Sequence, residues 1–206
     1  MNRKKVMAGV KDFIPETDII FCAGASLVSE SCFNDAENIF YHSDDRSDVL
    51  SIAIGLAMST KKRVVVIMED HYMLRYLNSI VQASVSKCRN LFFFVILSNV
   101  YNNSTTQSTI TESFRNISGA MFNFGFFTYN YSNYLKNKTD VRKLKNIFST
   151  ARGPFVSFIA VDDQRLYSSD IKTTDINKFS EHITTAFPEI ENTNKEYLNL
   201  DAIIKV

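Results

Sequence analysis

The chain has few of the residues that build flexible or reactive loops. Its 206 residues include 6 glycines, 3 prolines, 3 cysteines and no tryptophan. So few glycines exclude several glycine-rich phosphate loops, and any phosphate chemistry must be confined to one or two places. The cysteines (Cys22, Cys32 and Cys88) are odd in number and lack the spacing of a zinc site. This favours a reduced, cytoplasmic protein.

The chain also lacks an excess of charge and long apolar runs. Lys and Arg number 23 and Asp and Glu number 22, so the composition gives no electrostatic reason to expect nucleic acid or an anionic membrane as a partner. Apolar runs such as Leu91 to Leu97 are far shorter than the roughly 18–20 residues of a membrane-spanning helix. The basic start, Met1 to Lys5, is not followed by the pattern of a signal peptide.

Short apolar runs alternate with helical patterns, which predicts an α/β fold. The expected strands are Asp18–Ala23, Ile39–His42, Arg63–Met68, Leu91–Ser98, Gly125–Tyr129 and Pro154–Val161. The expected helices are Asn2–Phe13, Ser26–Asn34, Asp48–Thr60, His71–Ser86, Thr111–Phe124, Thr139–Thr150 and Asp175–Phe187. Strands that are apolar at every position are typical of a parallel sheet covered on both faces. The helix Asp48–Thr60 has apolar residues nearly all round, which predicts a buried central helix. We expect one domain, residues 1–206, with three layers, a mostly parallel sheet of six strands, and a C-terminal helix and tail after about residue 170.

Polar residues follow these strands, where open α/β sheets bind ligands. Asp70 follows one buried strand and Asn99 follows the next. The side-chain oxygens of Asp70 and Asn99 suit Mg²⁺, which keeps some coordination sites free for phosphate oxygens. A helix that begins near His71 would add backbone N–H groups to bind a diphosphate. Taken alone, Asp70 is more typical of a helix cap than of a metal ligand.

These residues resemble a known family. The phrases are Ser51-Ile52-Ala53-Ile54-Gly55-Leu56-Ala57, Arg63 through His71, and Leu97-Ser98-Asn99-Val100-Tyr101-Asn102-Asn103-Ser104-Thr105. Together they resemble the diphosphate-binding domain of thiamine diphosphate (ThDP)-dependent enzymes. The similarity is closest to the phosphonopyruvate and sulfopyruvate decarboxylase group, and it covers roughly residues 15 to 165.

The resemblance implies a role for each matching residue. Asp70, Asn99 and the carbonyl of Tyr101 would ligate Mg²⁺, with Glu69 and His71 beside the metal. Gly24, Ala25 and Ser26 would contact the diphosphate, and the stretch from Asp44 to Asp48, with Asp45, Arg46 and Ser47 at its centre, would face the rings of ThDP. Catalytic residues are not indicated.

The chain departs from the family pattern at four positions. Glu69 and His71 stand where the family's Gly-Asp-Gly has glycines, and Ser98 stands where the family has an Asp before the metal-ligating Asn. Arg46 stands where a bulky apolar residue usually supports the cofactor. Glycine lets backbone approach phosphate closely, whereas Glu adds negative charge and His adds bulk.

Two functions follow from these observations. The first is the diphosphate-binding subunit of a split ThDP-dependent 2-oxoacid decarboxylase, in which a separate pyrimidine-binding subunit completes the active site for a small 2-oxoacid. The second is a non-catalytic relative that serves as a binding or assembly subunit. An NAD-binding domain is a weaker possibility, because Gly24-Ala25-Ser26 lacks the glycine-rich fingerprint. Under either of the first two functions, the many phenylalanines and the apolar stretch Asp48–Thr60 predict a homo- or hetero-oligomer.

Overall fold

A computed structural model describes residues 3–24, 38–42, 49–97, 114–131 and 138–161, and the isolated positions 181 and 185. The strands are β1 Ile19–Ala23, β2 Ile39–His42, β3 Val64–Glu69, β4 Leu91–Leu97, β5 Phe127–Tyr131 and β6 Phe155–Ala160. The helices are α1 Arg3–Lys11, α2 Val49–Ser59, α3 Asp70–Arg75, α4 Leu77–Ser86, α5 Phe114–Asn123 and α6 Lys138–Thr150. The predicted helices Ser26–Asn34 and Asp175–Phe187 lie outside the described residues, apart from positions 181 and 185.

The six strands form one parallel sheet in the order β2-β1-β3-β4-β6-β5. Helices cover both faces, so the predicted three-layer α/β class is confirmed. Successive residues of β3 show how the two faces form. Val64, Val66 and Met68 belong to the core beneath α2 and α4, whereas Val65 and Ile67 belong to the core beneath α1 and α6. This alternation follows from the two-residue period of a strand.

The second core is rich in aromatic rings. Phe148 of α6 packs against Phe13, Phe92 and Phe94, with ring centroids 5.1 to 5.5 Å apart. The rings meet at tilted or edge-on angles, which is the arrangement that aromatic pairs prefer. On this face, the segment that follows α1 therefore packs against α6, which lies near the other end of the described chain.

The predicted single helix His71–Ser86 is wrong, because two helices occupy this stretch. The chain leaves helical geometry at Tyr76, whose φ and ψ are −108° and 36°. The ring of Tyr76 packs on that of Tyr72 at a centroid distance of 4.7 Å, and Ile80 N–H then donates to the Tyr76 carbonyl to start α4. As a result α3 is only six residues long.

Two further expectations need correction. The strand predicted at Gly125–Tyr129 begins at Phe127, because Gly125 has φ +96° and closes the end of α5. There the Gly125 and Phe126 N–H groups donate to the carbonyls of Phe122 and Met121, which is the Schellman pattern. Helix α2 is also not buried on all sides, since Met58 is 64% exposed on its outer side.

Candidate functional site

The order of the strands places a crevice at the carboxyl ends of β1 and β3. From β1 the chain runs to β2 on one side, and from β3 it runs to β4 on the other side. Neighbouring strands whose connections leave in opposite directions open a crevice at their carboxyl ends, and ligands of open α/β sheets bind in such crevices. Ala23 is paired with Met68, so the next residues, Gly24 and Glu69, lie side by side at this point.

The side chain of Glu69 fills the space above Gly24. Gly24 has φ +113°, which residues with a side chain rarely adopt. A Cβ atom placed on Gly24 would lie 3.0 Å from Oε2 of Glu69 and 3.4 Å from its Cδ and Cγ. Glu69 is only 3% exposed. A carboxylate of the chain itself therefore closes the approach to the backbone of Gly24.

Asp70 lies directly after β3 and is fully buried. It is the first residue of α3, and its Oδ1 accepts a hydrogen bond from the backbone N–H of His71 at 2.9 Å. The N-cap position of α3 is Glu69 and no side-chain cap bond is made there, so the alternative prediction that Asp70 caps this helix is wrong. The short helix α3 adds few aligned peptide dipoles to the site.

The imidazole of His71 lies between the two carboxylates. Its Nδ1 is 3.7 Å from Oε2 of Glu69 and 3.9 Å from Oδ1 of Asp70. These distances exceed those of hydrogen bonds, so the relationship is one of charge rather than of a shared proton.

The structure brings together four of the predicted site residues: Gly24, Glu69, Asp70 and His71. The other predicted residues (Ala25, Ser26, Asp45, Arg46, Ser47, Asn99 and Tyr101) lie outside the described residues. The predicted Mg²⁺ site formed by Asp70, Asn99 and Tyr101 thus stays a prediction. Its strands are adjacent as expected, with Glu69 of β3 paired to Ile96 of β4. Within the described ranges no group of three His, Cys, Asp or Glu side chains is arranged to hold a metal ion.

The described residues at this crevice do not fit the diphosphate of ThDP. A diphosphate needs exposed N–H groups or cations, whereas the acidic groups described here are the buried carboxylates of Glu69 and Asp70. Two like charges 4 Å apart repel by about 4 kcal/mol at the effective dielectric of a protein surface. The space over Gly24 is also filled. Both charge and bulk therefore oppose a bound diphosphate.

The sequence identified Glu69 as a departure from the family but did not reveal its contact with Gly24. The two-residue alternation of β3 puts Glu69 on the face of Val65 and Ile67. The register of β1 against β3 then sets it beside Gly24. Alternation was readable in the sequence, but the register between strands that are distant in the chain was not.

Cys22 in β1 offers no reactive thiol. It is fully buried, and burial raises its pKa to about 12. A thiol with so high a pKa is a poor nucleophile, so Cys22 acts as a small apolar core residue, as the sequence predicted.

Among the described residues, the helices are too short or too polar to cross a bilayer.

Comparison with known proteins finds similarity at the level of the fold. No protein-family model matches the sequence, and no curated protein matches it. The fold is similar to a crystal structure from Mycobacterium smegmatis, which is described as that of a candidate thiamin diphosphate-dependent enzyme. The TM-score is 0.61 and the identity 16%, over 79% of this chain and 32% of that chain. This chain thus spans about a third of the length of that protein. The chain shares the fold of a domain found in this candidate thiamin diphosphate-dependent enzyme.

Proposed function

We propose that the chain is a non-catalytic relative of the diphosphate-binding domain of ThDP-dependent enzymes and serves as a binding or assembly subunit. The observation that carries the proposal is the position of Glu69, whose buried carboxylate lies across Gly24 in the crevice at the switch point of the sheet. The fold supports descent from a ThDP domain. The carboxylate of Glu69 over Gly24 argues against continued use of the cofactor.

Exposed apolar side chains support the assembly role. Phe122 is 66% exposed and Phe127 61%. Large apolar side chains that remain outside the core often mark contacts with another chain. We propose that the partner is either a second copy of this chain or a different subunit.

One observation favours a second candidate function, the diphosphate-binding subunit of a split ThDP-dependent 2-oxoacid decarboxylase. Asp70 follows β3, and Asn99 comes shortly after the end of the neighbouring strand β4. These are the residue types and the order that a Mg²⁺-diphosphate site of this fold would need. In that case a separate pyrimidine-binding subunit would complete the site, a small 2-oxoacid would be the substrate, and Glu69 would have to turn away from Gly24.

Calorimetric titration of ThDP with Mg²⁺ separates the two functions. We expect no heat of binding for the purified chain, alone or mixed with a co-purified partner, at ligand concentrations up to about 1 mM, a level that detects even weak complexes. The Asp70→Ala variant should keep the oligomeric state of the wild type, measured by light scattering. Saturable, Mg²⁺-dependent binding that Asp70→Ala abolishes would favour the decarboxylase subunit.

A further inference from the structure

The carboxylate of Glu69 lies where an anionic ligand would meet this sheet. Its Oε2 is next to Gly24, at the carboxyl ends of the two strands that flank the switch point. Ligands of open α/β sheets occupy that position. Here the position is held by a side chain of the chain itself, buried almost completely.

Gly24 has the conformation that allows a close approach to the backbone. With φ +113° and no Cβ, it leaves its Cα accessible to a neighbouring group. The group that uses this access is the carboxylate of Glu69, whose Oε2, Cδ and Cγ are the nearest atoms. The positive φ alone favours glycine here, and the absence of a Cβ also leaves the space that Glu69 fills.

We infer that Glu69 is a resident anion, which takes the place of a ligand phosphate beside Gly24 and keeps the wild-type crevice closed to a diphosphate. The inference rests on the proposed function and deepens it, because it names the residue responsible for the loss of the cofactor. It follows that removal of this one side chain reopens the crevice.

The position of Glu69 makes the replacement of its side chain a local change. Glu69 is the last residue of β3, and the next residue, Asp70, begins α3. Replacement of Glu69 by glycine removes one charge and the atoms that lie over Gly24, and leaves the strands and the Asp70–His71 bond in place. Replacement by glutamine removes the charge and keeps nearly the same volume.

The test measures binding of ThDP and of inorganic pyrophosphate, each with and without Mg²⁺, by isothermal calorimetry. The proteins are the wild type, Glu69→Gly, Glu69→Ala and Glu69→Gln. Asp18→Asn is the matched control, since it removes another buried carboxylate at the opposite, amino-terminal edge of the sheet. Circular dichroism establishes that each variant is folded, and Glu69→Ala and Glu69→Gln provide the answer if Glu69→Gly does not fold.

We expect Glu69→Gly and Glu69→Ala to bind both ligands at least about tenfold more tightly than the wild type, with Mg²⁺ dependence. Asp18→Asn should behave as the wild type. If Glu69→Gln binds the ligands, the charge of Glu69 is what excludes them from the wild type. If only Glu69→Gly and Glu69→Ala bind, the bulk of the side chain excludes them as well. Either result supports the inference.

Two results would overturn it, and they differ in what they say of the proposed function. If folded Glu69 variants and the wild type all fail to bind, Glu69 is not what closes the crevice, and the non-catalytic function still stands. If the wild type binds ThDP as tightly as Glu69→Gly, both the inference and the non-catalytic function are wrong.

Discussion

Oδ2 of Asp18 lies 3.9 Å from Nε of Arg63, where β1 and β3 begin. The same guanidinium lies over the rings of Phe148 and Phe92, at 4.4 and 5.1 Å from their centroids. Within the described part of the chain, this Oδ2 atom has no hydrogen-bond partner. Because this ion pair is long, it only partly offsets the free-energy cost of burying the Asp18 carboxylate.

The stability of the protein should decrease as Asp18 ionises. Burial raises the pKa of Asp18 from its ordinary value of 3.8 to about 6, and the nearby charges of Arg63 and Lys62 only reduce this rise. The folded state thus holds the proton more tightly than the unfolded state does. The stabilisation is fully present below about pH 4 and is lost as the pH rises through about 6.

Urea unfolding of the wild type and of Asp18→Asn from pH 4 to pH 7 measures this effect. Relative to Asp18→Asn, the wild type should lose up to about 3 kcal/mol across the range. A difference that stays constant, or that favours the wild type as the pH rises, would contradict the prediction.

Asn90 should contribute more to stability than a surface asparagine does. Its Nδ2 lies 3.0 Å from the carbonyl oxygen of Ala57 and 2.8 Å from those of Thr60 and Lys62. It therefore satisfies the carbonyls at the end of α2 and in the turn into β3. Asn90→Ala leaves them without this donor and should cost about 1–3 kcal/mol in the free energy of unfolding.

Asn90→Asp gives a sharper version of the same measurement. It keeps the shape of the side chain but replaces the donor with a negative oxygen facing carbonyl oxygens. We expect it to destabilise more than Asn90→Ala in chemical denaturation at pH 7. An Asp variant as stable as the wild type would show that the three contacts are not maintained in solution.

Gly153 is needed because backbone atoms approach it closely. A Cβ at this position would collide with the carbonyl of Leu91 and would lie 2.6 Å from that of Cys88. The N–H of Gly153 also donates to the carbonyl of Arg89 at 2.7 Å, so the segment cannot move away without losing this bond. Gly153→Ala should therefore destabilise by about 2 kcal/mol or more.

Gly119→Ala is the matched control. Gly119 lies within α5, and a Cβ there would meet no atom within 4 Å. Alanine in place of a helical glycine should stabilise by about 0.5–1 kcal/mol. The two alanine variants should shift the thermal midpoint in opposite directions, and a shift of the same sign in both would contradict the argument.

The exposed phenylalanines should contribute to assembly rather than to folding. Phe122 lies at the end of α5 and Phe127 at the start of the edge strand β5, both mostly exposed. The double variant Phe122→Ser/Phe127→Thr should raise the dissociation constant of the oligomer at least about tenfold, measured by sedimentation. Its thermal midpoint should change little. The control Val85→Ser lies on α4 and should leave assembly unchanged, and an unaltered mass distribution in the double variant would refute the role.

The sequence predicted the first four strands well, because each is a short apolar run bounded by polar residues. The bounds of β2, Ile39–His42, were predicted without error, and β1, β3 and β4 differ by one residue at one or both ends. The break at Tyr76 was missed because the spacing of Met73, Leu77 and Ile80 continues the helical period through it. Hydrophobic periodicity indicates which side of a helix is buried but does not reveal a local change of backbone angle.

The candidate site was predicted less completely than the fold. The sequence placed Gly24, Glu69 and Asp70 at strand ends, and the structure brings them together. It did not predict that Glu69 points over Gly24. That contact depends on the register of two strands that are far apart in the chain, which no local pattern encodes.

The place of β6 between β4 and β5 has a consequence for synthesis on the ribosome. Strand β4, Leu91–Leu97, is made long before its neighbour β6, Phe155–Ala160. Until β6 emerges, one edge of an almost wholly apolar strand has no partner, and such an edge pairs readily with other chains. A nascent chain that stalls before residue 155 would thus present Phe92, Phe93 and Phe94 to other nascent chains. The time during which the chain is prone to aggregate is therefore the time that the ribosome needs to translate from β4 to β6.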